Sequence, residues 1–148
     1  MPSVAEQRPR VFSSTGGGGS SEAATVVETH VNRDTVPLAA GMLVALHPSG
    51  TGVWRASASL RRAAHGVALS AIGVGAAGSV LLLGELILSD WTALTGTVSL
   101  SALGLYYLAE AGQLTAVPSE APGSLTQLCG AAVGPQVMSV DAQVSILL

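Results

Sequence analysis

Three histidines, one cysteine, one glycine string and one arginine pair are the residues of this chain whose types could support chemistry. A hydrolytic site needs a nucleophile, a base within hydrogen-bond reach and a third group that orients the base. His47 lies in the turn-forming stretch His47-Pro48-Ser49-Gly50, where a solvent-exposed polar residue is expected. His65 opens an apolar run and reads as a hydrogen-bonded histidine at a strand edge; His30 sits in a β-branched segment. No His-x-His or His-x-x-x-His spacing occurs, so the histidines give no metal signature. Cys129, between Leu128 and Gly130, reads as a small buried apolar residue. Gly73-Val74-Gly75-Ala76-Ala77-Gly78 formally matches G-x-G-x-x-G, but a β-like run rather than a capped helix follows it, and no βαβ unit surrounds it. It reads as a hairpin turn. Arg61-Arg62 is too short for a phosphate track and reads as part of a solvated loop. The residues therefore predict no catalytic, cofactor or metal site, no small-molecule substrate, and a protein that is not an enzyme.

The elements that must carry these residues are set by an unusual composition. The 148 residues are 49% hydrophobic yet only 10% charged and 3% aromatic, with 18 glycines. All six basic residues are arginine, and the net charge is −3. Scattered arginines on an acidic chain are not a nucleic-acid footprint, which needs clustered positive charge. The apolar fraction is too high for a wholly disordered chain, and one cysteine excludes a disulfide scaffold. The first thirty residues carry charges at Glu6, Arg8, Arg10, Glu22 and Glu28 with no apolar core between them, so no secretory signal is expected. A lone cysteine fits assembly in a reducing cytoplasm.

Residues 66–84 and 91–109 lack charged side chains, and each run approaches the length of about 20 residues that crosses a bilayer. A two-helix membrane hairpin is thus the rival reading. Five glycines in the first run, five hydroxyl residues in the second, and Glu85 and Asp90 between them favour strands. No membrane partner is expected.

Residues 1–35 read as an extended or flexible N-terminal arm, with a Gly/Ser run at 13–21, and residues 36–148 as a β-domain. Within the arm, the β-branched segment holding Thr25, Val26, Val27 and Val31 alternates like a strand and could add to a partner's sheet edge. Residues 42–46 and 53–56 read as a hairpin; residues 57–64 read as a helical turn or a loop. Segments 65–72 and 79–86 bracket the glycine-rich turn, and both of their faces could be covered. Strands are expected at 105–108, 113–117, 124–132 and 139–146, the last alternating polar and apolar residues. Short strands at intervals of about 8–12 residues with Gly/Pro punctuation predict an all-β fold, a small antiparallel β-sandwich or barrel.

From His65 onward a specific order of residues recurs. Leu100-Ser101, Gly104, Tyr106-Tyr107-Leu108, Gly112, Leu114-Thr115, Pro118, Gly123, Gln127, Gly130 and Ala132 precede a final alternating segment. This series resembles a β-module found in tailed-bacteriophage virion proteins, among them capsid decoration (cement), head-fibre and tail-fibre proteins. The resemblance covers residues 64–148. The Ser101-to-Gly104 spacing is one residue longer than in that module, and Val133-Gly134-Pro135 replaces a serine-bearing turn. The resemblance implies a structural protein of the virion surface, assembled in a host cytoplasm, with partners among the major capsid protein and other virion proteins. Apolar residues on both strand faces suit a homotrimer, in which three copies around an axis would bury them. A cement protein that stabilises the phage head is the leading expectation, with a fibre adaptor as the alternative. The module's roles are structural, so no catalytic residue is carried over.

Overall fold

The structure, a computed structural model, describes residues 24–148; the Gly/Ser run and the rest of residues 1–23 lie outside the described residues. The β-branched segment forms β1 (Val26–Val31). The expected hairpin is β2 (Leu43–Leu46) with β3 (Val53–Arg55), and the segments around the glycine string are β4 (Gly66–Ala68) and β5 (Ala77–Ile87). One short helix, α1 (Thr92–Thr95), leads to β6 (Leu105–Leu108) and β7 (Leu114–Thr115). The chain ends with β8 (Leu125–Thr126), β9 (Leu128–Ala132), β10 (Val137–Asp141) and β11 (Ile146–Leu147). The fold is all-β: nine strands form one antiparallel sheet curved into a half-barrel, while β8 and β11 pair separately.

β5 organises the sheet. Leu81 pairs with Val27 of β1 and Val67 of β4, and Leu83 pairs with Val26 of β1 and Asp141 of β10. A strand residue has one partner on each side, so β1 holds one edge of β5 while β4 and then β10 share the other. The exchange occurs between Leu81 and Leu83, just before Gly84, whose φ of +141° is a conformation that side-chain-bearing residues rarely adopt. Asn32, just after β1, bridges Val53 of β3, so β3, β2, β4, β5 and β1 close into a small ring.

Strand alternation then fills two cores. Val44, Ala68 and Val80 point into the ring with Leu38, Val53 and Ile72. Their neighbours Leu43, Ala45, Val67 and Leu81 face the larger core, shared with Tyr106, Leu108, Leu114, Cys129, Met138 and Val140. Both faces of β5 are covered at Val80 and Leu81, which is why its sequence departs from simple alternation. Trp91 and Leu94, at and within α1, plug the same large core.

The ring is locked by polar groups at its closure. The buried Asn32 side chain donates to the Val36 and Ile72 carbonyls (3.0 and 2.9 Å) and accepts from the Asp34 amide at 2.8 Å. Asp34 in turn accepts from the Arg55 amide and guanidinium, both at 2.9 Å.

Several expectations are revised. The strand expected at 139–146 splits into β10 and β11, because the Gln143 carbonyl accepts from the Gln127 side chain and the Gln143 amide donates to Leu128, which turns the chain out of the sheet. The 124–132 strand breaks at Gln127 for the same reason: its buried side chain forms a two-way bridge to the Ala64 backbone (2.7 and 2.9 Å). Of the expected 113–117 strand only Leu114 and Thr115 pair. Residues 57–62 form a tight loop closed by reciprocal Ser57–Arg62 backbone bonds (3.0 and 2.8 Å). The membrane-hairpin reading is overturned: no helix among the described residues is long and apolar enough to cross a membrane. Residues 66–84 are β4, a turn and most of β5, and residues 91–109 are α1, loops and β6.

Candidate functional site

Two of the three histidines meet one carboxylate. Glu28 and His30 stand two residues apart on β1, a spacing that places both side chains on one face of a strand. His65 enters from the segment before β4, on the far side of β5. The His30 Nε2 lies 2.8 Å from Glu28 Oε1, and the His65 Nε2 lies 2.9 Å from the same oxygen. The two imidazoles meet edge to face, with ring centroids 5.7 Å apart. An ionised carboxylate can only accept, so each Nε2 carries a proton towards Oε1. The hydrogen bonds from His65 and His30 lower the Glu28 pKa against the raising effect of partial burial. Both histidines are partly buried, while Glu28 is open to solvent. The ligand-capable atoms of all three lie within 4.8 Å of one another.

Pair spacing among histidines does not reveal this cluster, because its members come from two segments that β5 separates. The local signal is Glu28-x-His30 on a strand, which has the same period as a His-x-His pair.

His65 also lines an open cleft of about 650 Å³ between the β2–β3 hairpin and residues 60–64. Its wall is Trp54, with the Arg62 guanidinium 3.5 Å above the ring and His47 packed edge-on at 4.6 Å. Arg62 is thus stacked, and His47, expected in solvent, is half-buried and hydrogen-bonded through Nδ1 to Ser49. Arg61 donates to the Gly123 carbonyl at 2.9 Å, which ties the loop to the chain's last third.

The remaining candidates are structural. Cys129 is buried, and burial pushes its thiol up to about 12, where no reactive thiolate forms near neutral pH. Gly73 to Ala76 belong to the turn before β5; Gly78 is kept free of a side chain by Ile72, 2.5 Å from where a Cβ would stand. Glu110 accepts from the Ser57 and Ser59 hydroxyls and the Ser59 amide, and so fastens the 57–62 loop to the turn after β6.

Of the segment expected to bind a partner, Val26, Val27 and Val31 form β1 with β5 of their own chain, and Thr25 flanks Gly84. Val26 and Val27 keep more than two-fifths of their surface exposed.

The residues that carry the family resemblance cluster in space. Tyr106 Oη accepts from the Ser101 amide at 2.9 Å, and the Gly104 amide bonds the Ser101 carbonyl at 3.0 Å. Within this longer turn Leu103 adopts φ +57° and is almost fully exposed. Leu100, Tyr106, Leu108, Leu114, Gln127 and Ala132 are all buried. Gly130 lets Met138 pack tightly, since a Cβ there would lie 2.6 Å from the Met138 sulfur.

No protein-family model matches the chain, and no curated protein matches it. Among solved structures it is similar to the crystal structure of the head fiber gp8.5 N base in bacteriophage phi29. That likeness has a TM-score of 0.47 and 14% identity, over 80% of this chain and 95% of that one.

Proposed function

We propose that this chain is a structural protein of a tailed-phage virion, a capsid decoration protein that binds the assembled head and stabilises it. The observation that carries the reading is the residue series from Leu100 to Ala132. Its members build the turn, buried positions and close strand contacts of β6 to β9, so the resemblance rests on residues that determine the fold. A ligand that binds only the assembled shell stabilises it by mass action, and many symmetric copies add avidity.

The exposed apolar residues support a subunit contact. Val144, Ile146, Leu147 and Leu148 leave hydrophobic surface uncovered along the chain's last segment, as does Val117 after β7. Three copies around an axis would cover such surface, which is the basis for proposing a homotrimer. Residues 1–23 then anchor each copy to the major capsid protein.

The test is incorporation. A chain lacking residues 1–23 retains β1 and every other strand among the described residues, so it should keep its β-type circular dichroism spectrum. Mixed with heads that lack the protein, it should fail to co-sediment, while the full chain binds saturably. Equal binding of the two would refute the anchoring role, and absence of binding by both would refute decoration.

A further inference from the structure

We propose that Glu28, His30 and His65 form a binding site for one divalent transition-metal ion of the zinc, nickel and cobalt class, which clamps β1 to the segment entering β4. Two imidazole nitrogens and one carboxylate oxygen are a donor set that these ions favour over calcium or magnesium. The present geometry is close to a chelate. Both Nε2 atoms already converge on one oxygen at 2.8 and 2.9 Å. Ligands around a tetrahedral zinc stand roughly 3.3 Å apart, given bonds of about 2.0–2.1 Å. Shifts of about half an ångström in three partly exposed side chains make that change.

The proton balance is simple. The two Nε2–H protons that now face Oε1 leave to solvent or move to Nδ1, and the ion takes their place between the donors. Three protein ligands leave at least one position for water.

The location gives such an ion a mechanical consequence. The first four residues of β1 are exposed, so hydrogen bonding to β5, rather than apolar burial, holds this part of the strand. An ion shared by β1 and His65 spans β5 and adds a link independent of that ladder. It would bind the folded chain and not the unfolded one, and so raise stability by linkage.

The test uses the tag-free, full-length chain, with zinc chloride followed by titration calorimetry and cobalt(II) by visible absorption. One ion per chain is expected, with intense absorption bands of low-coordinate cobalt. The melting temperature should rise by about 5 °C or more at a hundredfold excess over Kd. E28Q and H65Q should each weaken zinc more than about tenfold, with unchanged circular dichroism, and H47Q should bind as the parent does. No saturable binding at millimolar zinc, or binding that E28Q and H65Q leave intact, overturns the proposal. Should a variant unfold, the parent chain's cobalt spectrum decides alone: that of the free aqua ion refutes the site.

Discussion

Trp91→Ala should destabilise the protein by about 3–5 kcal/mol, read as a fall in the urea midpoint followed by circular dichroism. Trp91 is fully buried and is the largest side chain in the core. It closes the large core where the chain leaves β5, and its indole N–H donates to the Gln136 carbonyl at 3.2 Å. Truncation removes the packing of a whole bicyclic ring and one of the two hydrogen bonds to that carbonyl, which keeps the Leu88 amide at 3.0 Å. Leu94, Leu100 and Met138 share this core, Leu94 within α1 and Met138 within β10, so the surroundings should relax only in part. Such a loss is a large share of the roughly 5–15 kcal/mol typical of a domain. Trp91→Phe, which fills most of the volume but cannot donate, should recover over half of it. A cost below about 1 kcal/mol for Trp91→Ala would contradict this packing.

Asp34→Ala should cost about 3 kcal/mol at neutral pH, because it removes a buried carboxylate that serves the Arg55 guanidinium, the Arg55 amide and the Thr35 amide. The same group sets an acid limit. Burial alone would raise its pKa, but the hydrogen bonds from the Arg55 side chain, the Arg55 amide and the Thr35 amide hold it at about 2, against an ordinary 3.8. The folded value lies below the unfolded one. Its contribution of about 2 kcal/mol is therefore complete above about pH 4 and is lost as pH falls towards about 2. The parent chain should lose stability across that window, and Asp34→Ala should lose correspondingly less. Parallel curves for the two would contradict the assignment.

The sequence revealed strands best where pattern and punctuation agreed. The β2–β3 hairpin follows from a dense turn at residues 47–52, and the β4–β5 pair from the glycine string. The double covering of β5 was legible in Leu81 and Leu83, which interrupt its alternation. The failures share a cause. Gln127 and Gln143 look like ordinary strand residues, and only their long-range bonds, to each other and to Ala64, break the two strands that hold them. Val144 and Ile146 continue a perfect alternation but are exposed, because pattern alone does not say where the sheet ends. α1 is a single turn, too short for any periodicity to announce. The Glu28, His30 and His65 cluster was hidden by topology: His65 is 37 residues from Glu28 and meets it only because β1 and β4 flank the same strand.

The same elements give most of the chemistry-capable residues a structural task. The cysteine is walled into the core, the glycine string turns the chain, and Arg62 stacks on Trp54. What remains outward is apolar surface and one histidine–carboxylate cluster.

Cryo-electron microscopy of particles produced with and without this chain tests the virion assignment most directly. The decoration reading predicts symmetry-related surface density on the head, present only with the chain and fitted by the β1–β11 fold. Particles whose heads are identical in the two preparations, with the chain absent from their protein content, would contradict it.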